Sequence, residues 1–501
     1  MLRNHLKRRM KKIFNIDEIT WNDLSMDQVL ERLDYTNSSV GKEYLKRELK
    51  TLQVDPEFLK KRSKRAEFFH QNVQFREKII KIYKGLGKSK KLSLYDYLFR
   101  FHEVEQKGIG IHYLLIVLLL FAIALIFIRP EFGILALTVM FVINILTYFK
   151  FKARVESYFM CFKYIVHMMN AAGKIQKAAA KSQIFENSLT DVLEKLYAAS
   201  KELAPLKRAS WLLTNSVSGS LIDVFMDYIR MLFHVDILRF YAMRKIAAEK
   251  TEAIDNLFCA LGELELAVSL SLYRESLDQY CIPEFTDSRI VIRGIYHPLT
   301  ENSVANDITV EKSILLTGSN ASGKSTFLKQ IAINQIFAQT ICTCLAEAFQ
   351  TRCFKVLSSM ALSDNILANE SYFIVEIKSL KRIFDAVSDE TLQMPVMCFI
   401  DEVLRGTNTK ERIAASSEIL RSLASKDTVC FAATHDIELT HLLADKMENY
   451  HFEETVSENE VSFDYKLKAG PTTSRNAIRL LRMYGFDPAI TDRADQLVDR
   501  L

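Results

Sequence analysis

Two stretches of this chain carry no charged residue, Gly108 to Ile128 and Phe132 to Phe149, with Arg129, Pro130 and Glu131 between them. A helix of ~20 apolar residues crosses the hydrocarbon core of a bilayer. A soluble helix of that length keeps a polar stripe, which LLIVLLLFAIALIFI lacks. The pattern predicts a transmembrane hairpin over 107–150, with spans at about 108–128 and 132–149. On either side, over 16–105 and 155–280, apolar positions recur at helical spacing with few breakers; Pro205 and the serines from Ser216 to Ser220 interrupt the second stretch. From Val291 the period changes. Short apolar runs (SILLTG, PVMCFIDE, TVCFAATH) alternate with helical stretches, the mark of a parallel sheet with crossover helices. The expected organisation is a helical arm over 1–106, the hairpin, a second helical region over 151–289, and an α/β domain over 290–501.

Charge orients the hairpin. Lys84, Lys88, Lys90, Lys91, Arg100 and Lys107 precede it, and Lys150, Lys152 and Arg154 follow. By the positive-inside tendency both long arms face the cytoplasm, of a bacterial plasma membrane in this reading. The net charge of +5, from 66 basic and 61 acidic residues, neither demands nor excludes a polyanionic partner. Arg3, Lys7, Arg8, Arg9, Lys11 and Lys12 cluster at the N-terminus with no apolar run behind them, so they do not read as a signal peptide. The eight cysteines show no paired metal-ligand spacing, and Cys342 and Cys344, on an apolar run, read as packing.

The chemistry lies in the α/β domain. Gly318-Ser319-Asn320-Ala321-Ser322-Gly323-Lys324-Ser325 fits the G-x-x-x-x-G-K-[ST] phosphate loop, after an apolar strand at Ile314 to Leu316 and before a helix opening at Thr326. Its glycines let backbone N–H groups curl round phosphates, and the helix N-terminus adds a positive dipole end. Lys324 is placed to reach the β- and γ-phosphates of ATP, and Ser325 to bind Mg²⁺. Downstream, the strand Val396 to Ile400 ends in Asp401-Glu402: Asp401 for the Mg²⁺ shell, Glu402 to polarise the attacking water. A third strand, Thr428 to Ala433, ends in Thr434-His435-Asp436, where His435 can sense the γ-phosphate. The fold class expected is thus an α/β P-loop NTPase joined to a mainly α-helical region that carries the hairpin.

TGSNASGKSTFLKQ, SYFIVEI, FIDEVLRGTNTKER, AATHDIEL and FDYKLKAG, in that order, resemble the ATPase domain of the MutS mismatch-repair family. RGIYHPL is similar to the segment introducing that domain. LGELELAVSLSLY with Pro283-Glu284 resembles the end of the family's helical lever, and LDYTNSSVGKEYLKREL, from Leu33 to Leu49, its opening. The resemblance is strong from Ile290 on and weak in the helical part. It implies an ABC-type homodimer in which each ATP lies between one subunit's phosphate loop and the other's signature segment. That segment corresponds to Asn369-Glu370-Ser371-Tyr372-Phe373, with Ser371 donating in trans to the γ-phosphate. It also implies a subunit contact at Arg405-Gly406-Thr407 and a dimer-building element from Ser474 through Gly485 to Pro488.

Some positions depart from the family. Where it stacks an aromatic on adenine, alignment of SVANDI leaves Ser303, with Asn306 beside it to bond the base. The family's mismatch-reading wedge precedes the lever, and similarity to the lever begins at about Leu33. Phe101-His102-Glu103 has the wedge's letters but lies beside the first span and reads as coincidence. Two readings stay open. One is a membrane-tethered ATPase that binds double-stranded DNA, with Lys174, Lys177, Lys181, Lys207 and Arg208 as candidate phosphate contacts. The other is an ATP-driven switch or scaffold coupled to the membrane without DNA. An ABC transporter fits poorly, because the chain has no LSGGQ-type signature and two spans per subunit.

Overall fold

The structure, a computed structural model, describes residues 14–88, 109–182, 187–210, 221–301, 303–319, 322–360, 372–389, 394–405, 407–424, 427–456, 461–472 and 477–498. The chain forms two compact units. One is built from Tyr35–Leu45 and Arg65–Leu272, the other from Met1–Asp34, Lys46–Lys64 and Tyr273–Leu501.

In the first unit the charge-free runs fold as helices Ile109–Ile128 (α1) and Pro130–Lys181 (α2). Pro130 opens α2, where its fixed φ suits a first turn and its missing N–H is not needed. Gly133 sets the closeness of the pair, since a Cβ there would meet the Ile126 backbone nitrogen at 2.4 Å. Both helices are long and apolar enough to cross a membrane, and only 22% and 17% of their most apolar windows are buried. The core helix of a soluble protein would be mostly buried. Here Phe121, Phe127, Phe132, Leu135 and Leu146 all lie exposed. A small polar cluster ties the hairpin to the helix Val235–Glu249: His112 Nδ1 lies 2.6 Å from His234 Nδ1, and Tyr148 donates to Asp236 at 2.7 Å.

The lever-like motifs meet in this same unit. Glu265, nearly fully buried, accepts from the backbone N–H of Asn37 at 2.5 Å and of Ser38 at 2.9 Å, and from the Ser38 hydroxyl. Burial pushes its pKa up to about 7 although three donors favour the anion. Gly41 admits that carboxyl, for a Cβ there would lie 2.3 Å from Glu265 Oε2. Beside it, Arg65 pairs with Glu263 at 2.7 Å, and Glu263 also accepts from the Tyr44 hydroxyl at 2.6 Å.

The second unit opens with the short pair Phe14–Asn15 (β1) and Thr51–Leu52 (β2). Glu284–Phe285 (β3), Ile290–Ile295 (β4), Asn306–Val310 (β5) and Ala348–Thr351 (β7) form a four-stranded sheet in the order β3-β7-β4-β5. The larger sheet holds Ser313–Thr317 (β6), Lys355–Ser359 (β8), Val396–Asp401 (β9), Thr428–Ala433 (β10), Met447–His451 (β11) and Lys468–Ala469 (β14), ordered β14-β11-β6-β10-β9-β8. Its pairs are parallel except β11 with β14. All five residues of β6 are buried, as a strand covered on both faces requires. Glu454–Val456 (β12) and Val461–Phe463 (β13) make a separate hairpin. Residues 14–34, which the sequence pattern groups with the helical arm, pack here on β8. Asp23 Oδ2 accepts from the Ser358 hydroxyl at 2.6 Å and from the Met360 N–H at 3.0 Å. Such a contact joins residues far apart in sequence and leaves no mark on local periodicity.

Candidate nucleotide-binding site

The sheet order places β6, β10 and β9 side by side, so the chemistry at their carboxyl ends converges on one cleft. The loop leaving β6 runs into helix Lys324–Thr340 (α3), which starts two residues before the expected Thr326. Gly318 and Gly323 take φ values of +143° and +105°. A Cβ at Gly318 would lie 2.7 Å from the Phe452 carbonyl oxygen, so the end of β11 leaves room for glycine alone. Ser322 is buried, and its hydroxyl has no partner among the described residues. An anion cradle with an unused donor suits a phosphate chain. Asn320, Ala321 and Ser371 lie outside the described residues.

Around the loop is a cavity of about 530 Å³ lined by Ser319, Ser325, Thr326, Asp401, Glu402 and His435 among others, a size that suits a nucleotide. Lys324 is buried beneath it and donates to the carbonyls of Gly318 and Ser319, both at 2.7 Å. Burial pulls its pKa down to about 8, against the opposing charges of Asp401, Glu402 and Glu454. Ser325 and Asp401 line the same cavity, and their hard oxygen donors fit Mg²⁺.

Glu402 sits just past β9 at φ +61°, a left-handed conformation strained for a residue with a Cβ. Its N–H donates to the Ala433 carbonyl at 2.9 Å, which ties the turn to β10. Oε1 lies 3.0 Å from His435 Nε2, and Oε2 pairs with Arg405. Burial opposes the charge of Glu402, but His435 and Arg405 outweigh it and hold the carboxyl at about 2. The three predicted ATPase motifs therefore meet: His435 Nε2 is also 3.5 Å from Lys324 Nζ. Asp436, next in the motif, is gripped by Arg412 at 3.0 and 2.5 Å, which fixes the loop that carries His435.

The far wall differs from expectation. Both N–H donors of the Asn306 amide are spent on the carbonyls of Val304 at 3.2 Å and Tyr465 at 3.0 Å, and its oxygen accepts from Leu467 N–H at 2.8 Å. It braces two loops rather than presenting donors to a base. Ser303 Oγ accepts from the His297 N–H at 3.1 Å. Of the aromatic residues lining the cavity, Phe327 and Phe452 are buried, while Tyr465, at φ +51°, is half-exposed and stacked on Phe463 with centroids 5.8 Å apart. Sequence reasoning missed it, although the alternation in FDYKLKAG was a signal. Glu454 was missed too; it is buried and accepts from the Ser319 hydroxyl at 2.7 Å.

Residues 314–501 match the family model of MutS domain V. The chain is also 32% identical over 273 residues to the DNA mismatch repair protein MutS of Natronomonas pharaonis, covering 52% of this chain and 31% of that protein. MutS protein homolog 4 of Homo sapiens is 30% identical over 293 residues, covering 55% of this chain and 31% of that protein. The MutS of Thermus thermophilus is 27% identical over 267 residues, 52% of this chain and 32% of that protein. The chain thus spans about a third of the length of the curated relatives it matches. Within the region matching MutS domain V fall the phosphate loop, the Asp401-Glu402 pair and His435.

The pKa of Lys324 gives this MutS-like site a pH signature. The lysine must be charged to hold phosphates, and bound phosphates raise its pKa further. ATP affinity should therefore stay level from about pH 7.5 to about 8. It should then fall by up to about tenfold per pH unit, because the free lysine must first regain a proton. A nucleotide-binding titration between about pH 7 and 9.5 measures this, and an affinity unchanged up to the top of that range would refute it.

Proposed function

We propose that this chain is a MutS-family ATPase that binds and hydrolyses Mg–ATP at a homodimer interface, is held in a bacterial plasma membrane by the α1–α2 hairpin, and acts on double-stranded DNA. The observation carrying the ATPase reading is the convergence of Lys324, Glu402 and His435 at the carboxyl ends of adjacent strands, around a cavity with a glycine-built anion cradle. Bound Mg²⁺ would neutralise phosphate charge. Ser325 and Asp401 would hold it, Lys324 would grip the β- and γ-phosphates, and Tyr465 would offer its ring to the base. Glu402 would polarise the attacking water, with His435 reporting the γ-phosphate. While Arg405 holds it near pKa 2, Glu402 is a poor base, so turnover requires that pair to open. Ser371 of a second copy would complete the anion cage.

Support for the dimer comes from the C-terminal helices Ala477–Met483 and Pro488–Val498, which leave Tyr484, Phe486, Ile490 and Leu497 exposed. The DNA reading draws on relatives named for DNA mismatch repair and on the basic residues of the helical region. The exposed hairpin favours a second reading, a membrane-coupled ATP-driven switch without DNA. An ATPase and binding assay on the purified protein, with and without duplex DNA, decides between them. Binding should weaken linearly in log salt, with a slope set by the number of phosphates neutralised. An ATP-active preparation that ignores duplex DNA at low salt would leave the switch.

A further inference from the structure

Helix Tyr372–Val387 (α4) begins directly after Ser371 and turns Glu376, Ser379, Leu380 and Ile383 inward, one buried stripe at helical spacing. Glu376 is 2% exposed. Its Oε1 accepts from the N–H of Leu404 at 2.5 Å, while Oε2 is buried with no hydrogen-bond partner among the described residues. A carboxyl half-satisfied in a core costs more than an aliphatic side chain in its place. The backbone N–H groups that reach it, from Leu404 and Arg405, belong to the turn that leaves β9.

That turn is unusual. Glu402 at φ +61° and Leu404 at φ +58° are two left-handed non-glycine residues within three positions, a conformation strained for any residue with a Cβ. Such a turn persists only where its surroundings over-determine it. The bonds that do so are Glu402 N–H to the Ala433 carbonyl, the Ser416 hydroxyl to the Val403 carbonyl at 3.3 Å, and Leu404 N–H to Glu376. The first comes from β10 and the second from helix Thr409–Leu423 (α5). The third comes from α4, whose other end is pinned by Arg382 to Asp17 and to the Ser358 carbonyl.

We propose that Glu376 is a positioning residue for its own subunit's Glu402: by holding the Leu404 N–H it fixes the turn that aims the Glu402 carboxylate into the nucleotide site. The inference rests on the ATPase reading proposed above, and it adds what holds Glu402 in place.

The test uses full-length protein in detergent or nanodiscs, with two affinity tags to isolate mixed dimers. Wild type mixed with Glu402→Gln should keep about half the turnover and serves as the control; if no dimer forms, the shared-site reading falls, and the Glu376 homogeneous variants alone decide the positioning role. Glu376→Met removes the acceptor but fills the same space. As a homodimer it should bind ATP within about twofold of wild type and lose at least about tenfold in kcat. Glu376→Gln keeps an oxygen for the Leu404 N–H and should stay within about twofold of wild type. If it is as impaired as Glu376→Met, the bond is not what matters and the inference is overturned. The deciding mixture is Glu376→Met with Glu402→Gln. Its one intact Glu402 belongs to the copy lacking the Glu376 bond, so turnover should fall at least about tenfold below the control mixture. If Glu376 served only to shape α4 for the neighbour, that mixture would match the control, and the positioning role would be excluded.

Discussion

Glu402→Gln should abolish ATP turnover, lowering kcat by at least about 100-fold, while ATP binding changes by no more than about twofold. A positioned general base contributes ~10²–10⁴ in rate. The substitution removes that base and leaves Lys324, Ser325 and the glycine cradle, which hold the phosphates, in place. The amide matches the carboxylate in shape, so the left-handed turn at φ +61° and its bond to the Ala433 carbonyl should persist. What changes is charge: Arg405 and His435 lose the anion they surround. Steady-state hydrolysis beside equilibrium nucleotide binding separates the two effects, since loss of kcat at constant affinity marks a group needed only in the transition state. Turnover within tenfold of wild type would assign the water to another residue.

The second large effect concerns the hairpin. Val117, Leu120 and Phe121 are 60%, 51% and 65% exposed, while Leu115, Leu119 and Ala122 are buried on the opposite side of α1. Replacing those three exposed residues together by aspartate leaves the buried stripe untouched. In water the change would be neutral or would improve solubility. In a bilayer each aspartate near the centre costs ~3 kcal/mol, and three together are enough to undo insertion. The wild-type protein should resist carbonate extraction from membranes, and the triple variant should be released or degraded. A wild-type protein that washes off with carbonate would end the membrane reading, whatever the variant does.

Part of this site is readable from the chain without coordinates, and the reason is locality. The phosphate loop is a run of consecutive residues whose glycines must turn the backbone, so Gly318 and Gly323 are legible from spacing, and their φ values of +143° and +105° follow. The strands that carry Asp401 and His435 are continuous apolar runs because both faces of a parallel sheet are covered. The hairpin is legible for the same reason: length and absence of charge are properties of one segment. Asn306 shows where this ends. Its polar side chain beside the loop invited a role in base binding, yet its donors go to Val304 and to Tyr465, a residue 159 positions away.

By itself, then, the sequence determined the element types, the phosphate loop, the order of the three ATPase motifs and two helices able to cross a bilayer, because periodicity, glycine placement and run length act through neighbouring residues. The tertiary structure decided the rest: the strand order that sets Glu402 within 3.0 Å of His435, the arrival of Tyr465 on the cavity wall, and the bond from Glu376 to Leu404. Those contacts depend on which distant segments become neighbours when the sheet assembles, and a short-range pattern carries no record of that choice.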